Sequence, residues 1–159
     1  MTSARNAHRA PEPRLLAAAF AIFWLDEADL GPELSPVRAT AGAERLIVPF
    51  RTRVGLAHQE YDPRARARLL NAHEPIGAYF LNRRDERAFN ARLAFPTGGV
   101  FEGAAAAALS GWLRDSGRLT GAITIIQAED MGAPTRLHAV STAEKGAPVR
   151  VSGATRRLD

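Results

Sequence analysis

Hydrophobic and polar positions alternate with helical and strand periods along most of the chain, and one stretch is apolar all round. From Gly103 five consecutive alanines run into Leu109, Trp112 and Leu113. Alanine is the strongest helix former, so the pattern predicts a helix over 103–114. Its first two turns present no charge on any face, and such a helix belongs inside a domain, wrapped by other elements.

The flanking segments supply the wrapping. Leu15 to Leu30 reads as one long helix from Arg14, stopped by Gly31 and Pro32. Short strands are predicted at 35–40 and 44–51, the second carrying Leu46, Ile47, Val48 and Phe50. Residues 53–60 are ambiguous. Asp62 and Pro63 then form an N-cap and first-position pair for a helix to Leu70. A hairpin follows, with strands at 76–81 and 88–95 around a turn at 82–86, and three strands are expected after the central helix, at 122–127, 135–140 and 148–152. Mixed helices and strands without regular alternation indicate an α+β fold, a mostly antiparallel sheet curled around the central helix. Residues 1–13 hold two prolines and no apolar periodicity, so a frayed tail is expected there, with a single domain over 14–159.

Composition narrows the chemistry. With 159 residues, 46% of them hydrophobic, the chain can bury a full core without disulfides. It has no cysteine, which excludes thiol catalysis and thiolate metal sites and fits a reducing, cytoplasmic setting. The net charge of +4 is almost wholly arginine, Lys145 being the single lysine, and no arginine cluster is interleaved with aromatics as nucleic-acid binding requires. The basic start followed by the apolar run 15–25 imitates a signal peptide. Asp26, Glu27 and Asp29 follow it directly, however, and the run is too short to span a bilayer. No membrane association is expected. Among His8, His58, His73 and His138 no pair has metal-ligand spacing with a carboxylate, so no metal is expected. Gly98, Gly99 and Gly103 do not form a dinucleotide fingerprint, because the spacing is wrong and no long βαβ unit follows. They do leave the start of the central helix free of bulky side chains, with Gly103 as its N-cap. Unpaired N–H groups and the positive dipole end make an anion site there, or simply a buried helix with a glycine start.

Three ordered blocks carry a family resemblance. Arg92, Phe95 and Pro96 together with Gly99, Glu102 and Gly103 ahead of the alanines, then Gln127, Met131, Gly132 and Pro134, and finally Val149, Val151 and Gly153 fall in the order of the second half of the PhzF-like phenazine-biosynthesis isomerases. The resemblance implies a fold like that of diaminopimelate epimerase, in which two similar domains each curl a sheet around a central helix and the ligand lies between the helix N-termini. It implies a cofactor-independent proton shift or isomerisation of a small carboxylate metabolite. By resemblance Gly98, Gly99, Gly103, Ala104 and Gln127 would bind substrate. Glu102 would be the acid or base, or else a first-turn glutamate complementing the helix dipole. The family's E-D-P-A-T-G-S loop is shortened to FEGA, with Ala104 in the serine's place, and the glutamate of its first half has no counterpart in this sequence. The expected partner is therefore a second copy or a separate first-half domain. The rival expectation is a catalytically silent binding module.

Overall fold

The structure, a computed structural model, describes residues 2–42, 44–57, 77–94, 103–127 and 135–154. Eight strands form one sheet in chain order: β1 Ala7–Arg9, β2 Val37–Thr40, β3 Glu44–Pro49, β4 Gly77–Asp85, β5 Ala88–Ala94, β6 Gly121–Gln127, β7 Thr135–Ser141 and β8 Arg150–Ala154. β3–β4 and β5–β6 are parallel, and the other neighbours are antiparallel. Three α-helices are described, α1 Pro13–Ile22, α2 Arg53–Ala57 and α3 Gly103–Asp115. The helix expected from Tyr61 through Leu70, and His58 and His73, lie outside the described residues.

α3 occupies the concave side. Ala105 to Leu109, Trp112 and Leu113 are buried against Val37, Ala39, Ile47, Tyr79, Leu81, Phe89, Ile125, Leu137 and Val151. Strand residues alternate between faces, so Leu46, Val48, Ala78 and Phe80 turn outward into a second cluster with Leu15, Ala19 and Phe23 of the α1 region and Leu56 of α2. Phe23 meets Phe80 edge to face at 4.8 Å. Burying Leu15 and Phe23 there stabilises the docked helix by about 1.5–3 kcal/mol each.

Three sequence expectations are corrected. The segment 1–13 is not merely a tail. β1 pairs with β2, and residues 2–6 bond to the other side of the sheet: Ser3 N–H to Val149 O at 2.8 Å, Asn6 N–H to Gly146 O at 3.0 Å, and a bridge from Thr2 to Arg150. The first and last strands thus meet at one end of the curl. Asn6 is the anchor: its Nδ2 donates to Ala147 O at 3.0 Å, and its carboxamide lies so close to Gly111 that any Cβ there would overlap it. The long helix from Arg14 also stops early, at Ile22. Trp24 takes a left-handed φ of 51°, and the Leu25 N–H reaches back to Phe20 O, closing the last turn. Asp26 and Asp29 then build their own capping box around a 3₁₀ turn at Glu27–Asp29, which outcompetes continuation of the helix. The hairpin strand β4 runs four residues past its expected end, leaving a turn at Glu86 and Arg87.

An ionic cluster fastens α1 to the sheet. Arg38 on β2 is buried and bonds both Glu44 and Glu12, the N-cap residue of α1, while Arg9 pairs with Glu12 at 3.2 Å. The Arg38 hydrogen bond, helped by charge, holds the Glu12 carboxyl below its ordinary range. Burial works against the Arg38 guanidinium, but its bonds to Glu12 and Glu44 more than offset this, so its own pKa lies above the usual arginine value.

Two outcomes follow from this packing. Gly111→Ala gains about 1 kcal/mol of helix propensity but forces Asn6 off the helix, for an expected net loss of roughly 1–2 kcal/mol. Adding Asn6→Ala should recover part of that loss in thermal melts, and independent effects of the two changes would contradict the contact. Because the folded pKa of Glu12 is depressed, its contribution is present above about pH 4.5 and disappears as pH falls through the folded value. Acid titration of stability should therefore be flatter below pH 4.5 in Arg38→Met than in the parent chain.

Candidate functional site

The topology decides what lies at the start of α3. β5 and β6 are parallel neighbours joined through α3, so the helix returns across the sheet and its first residue emerges where both strands end. Gly103, the C-terminal end of β6 at Gln127, the start of β7 at Thr135 and the start of β4 at Gly77 therefore share one end of the curl. Gly103 is buried and is the first helical residue rather than the cap. Ala104 is half-buried, Ala105 to Ala108 are buried, and the first turn carries no acidic residue. The leading N–H groups of a helix have no partner within it, and a first turn of glycine and alanine is the kind of helix start that suits an anion.

Gln127 is a buried polar residue at this end. It follows Ile123 and Ile125 on the inward-facing positions of β6 and is 2% exposed. Its Nε2 donates to Tyr79 Oη at 2.7 Å, whereas its Oε1 is buried without a partner. Leaving such an acceptor unpaired costs about 1–3 kcal/mol, so a residue of this kind marks a place where a donor arrives. Tyr79, on the inward face of β4, was not singled out by the sequence. Its signal is the alternation Tyr79, Leu81 within a strand otherwise read only for hydrophobicity.

Of the expected site residues, the structure brings Gly103, Ala104 and Gln127 to the same end. Gly98, Gly99 and Glu102 lie outside the described residues. Among the described residues no three His, Asp or Glu side chains gather as metal ligands. Of the two described histidines, His138 is exposed beside Thr124, and His8 lies 3.8 Å from Asp115 at the far end of α3. No described helix is long and apolar enough to cross a membrane.

A family model described as phenazine biosynthesis-like protein, PhzC-PhzF, matches residues 9–156. The chain belongs to this family. The PhzF-family chain resembles in fold the crystal structure of the Bacillus anthracis phenazine biosynthesis protein of the PhzF family, with a TM-score of 0.71 at 11% identity, covering 98% of this chain and 60% of that one. It also resembles the structure of a predicted epimerase from Pseudomonas aeruginosa, with a TM-score of 0.73 at 22% identity, covering 95% of this chain and 53% of that one. It thus spans little more than half the length of these solved relatives. No curated protein matches it. The resemblance carried by the three sequence blocks, and the α+β fold expected from it, are borne out.

The Tyr79–Gln127 pair gives a stability test. Tyr79→Phe strands the Gln127 amide and should cost about 1–3 kcal/mol. Tyr79→Phe with Gln127→Leu removes both polar groups and should recover most of it by chemical denaturation, since the buried acceptor is then gone.

Proposed function

We propose that this chain is a PhzF-type isomerase domain that holds a small carboxylate metabolite at the N-terminus of α3 and takes part in a cofactor-independent proton shift. The observation that carries the reading is the juxtaposition at one end of the curl: a helix start with only glycine and alanine over its first turn, and the buried, unpartnered Oε1 of Gln127. The N–H groups of α3 would bind the substrate carboxylate, and Gln127 would accept a hydrogen bond from a neighbouring donor group. Glu102, directly before Gly103 in sequence, is the proposed acid or base on this side, with Gly98 and Gly99 giving the substrate close backbone approach. A proton shift needs a base within hydrogen-bond reach of the reacting carbon. In the reading favoured here a second domain supplies it, either a separate first-half domain or a second copy of this chain.

Proton exchange into deuterated solvent from a panel of small amino and hydroxy acids, followed with amide shifts, tests this. Expected are saturable shifts at Gly103 and Ala104 with little exchange by the chain alone. Robust exchange abolished by Glu102→Gln would show a complete active site in this chain. Binding without exchange in any dimeric or two-domain assembly would favour the silent binding module, and absence of shifts at 103–104 would remove the carboxylate reading.

A further inference from the structure

A hollow at the opposite end of the curl has a volume of about 570 Å³ and lies between the ends of β3 and β4 and the loop at Gly31–Leu34. The hollow follows from the register. β3 pairs with β4 only as far as Pro49 opposite Leu81, so β4 continues from Asn82 to Asp85 with β5 on one side and no described strand on the other. The loop that forms the facing wall is held to the end of β3 by backbone bonds from Gly31 N–H to Pro49 O at 3.1 Å and from Arg51 N–H to Asp29 O at 2.8 Å. The wall is therefore built, not incidental.

Its polar groups are unevenly satisfied. A register shift between Arg83 and Asp85 makes Arg84 the residue of a β-bulge, and bulges re-aim side chains. Arg83 is tied to Glu33 at 2.9 Å and to the carbonyls of Asp85 and Glu86. The Asp85 carboxylate accepts from the Arg87 N–H at 2.9 Å. Arg51 and Arg84 line the same hollow and are exposed, with no ion pair among the described residues. Asn82 forms part of the floor and spends its Nδ2 on Phe50 O at 3.1 Å, so its Oδ1 is the acceptor left for a ligand. Of the three carboxylates that line the hollow, Glu33 is held by Arg83, whereas Asp85 and Glu86 at the turn have no ion pair among the described residues and set the limit on its positive charge.

We propose that this groove is a second binding site, for a small organic anion whose carboxylate pairs with Arg51 and Arg84 and whose body rests on the Pro32, Pro49 and Phe50 wall. A guanidinium suits a planar carboxylate, and the Asn82 acceptor favours a ligand that also carries a hydroxyl or amino donor. Because α3 starts at the other end, occupation here is independent of the site proposed above.

The test is titration of the isotopically labelled chain with salicylate, with salicylamide as the uncharged control. Saturable amide shifts confined to Gly31, Glu33, Leu34, 50–51 and 82–86 are expected with salicylate and not with salicylamide. Arg51→Gln with Arg84→Gln should weaken binding at least about tenfold. Arg118→Gln, on the neighbouring smaller hollow formed with Leu113 and Leu119, should leave it unchanged. Absence of saturable shifts in the groove, equal binding of salicylamide, or undiminished binding by the double variant would overturn the proposal. Shifts at 103–104 report the other site separately, so failure of either is read independently.

Discussion

A helix without a polar face governs this structure. α3 can be stable only if every side of it is covered, and a single sheet can do that only by curling. The alanines set the curvature, because methyl side chains let Val37, Ala39, Ile125 and Leu137 come close to the helix backbone, while Trp112 and Leu113 fill the wider end. The parallel pairing of β5 with β6 is part of the same solution: α3 must return the chain from β5 to β6, and a returning helix leaves those strands parallel. The consequence for chemistry is that the helix start is delivered to the end where β6 finishes in Gln127.

Two buried arginines among the described residues help with the remaining problem, which is how to fix the layers in register. Arg38 binds the N-terminal end of α1 to the convex face through Glu12 and Glu44. Arg114 does the equivalent at the foot of α3, donating to Asp115 Oδ1 at 2.8 Å and to Ala147 O at 3.0 Å, where a cation also complements the helix C-terminus. Both guanidiniums are buried and both are paired, as buried charge must be.

What was legible in the sequence was what local pattern encodes. The alanine run gave the central helix, and alternation such as Leu137, Ala139 gave the strands after it, because burial on one face imposes a period that needs no knowledge of the partner. The three motif blocks led to the family. What was illegible depended on distant partners. Nothing local to Asn6 announces that it will pack on Gly111, so the segment before Pro13 read as a tail. Trp24 in a left-handed conformation is equally opaque, since glycine or asparagine would be the ordinary sign of a helix stop there. At the candidate site, Gly103, Ala104 and Gln127 could be named from motif order, but Tyr79 could be found only once β4 and β6 were placed beside the same core.

The closure of the sheet by residues 2–6 also has a temporal meaning. Val149 N–H donates to Ser3 Oγ across a separation of 146 residues. At about 5–20 residues per second, ribosomal synthesis leaves the earlier half of that contact without its mate for roughly 7–30 s. Throughout that interval the segment 2–6 is an unpaired edge, open to a wrong strand or to another nascent chain. Its polar composition, with Ser3, Arg5 and Asn6 in place of an apolar run, keeps it soluble while it waits.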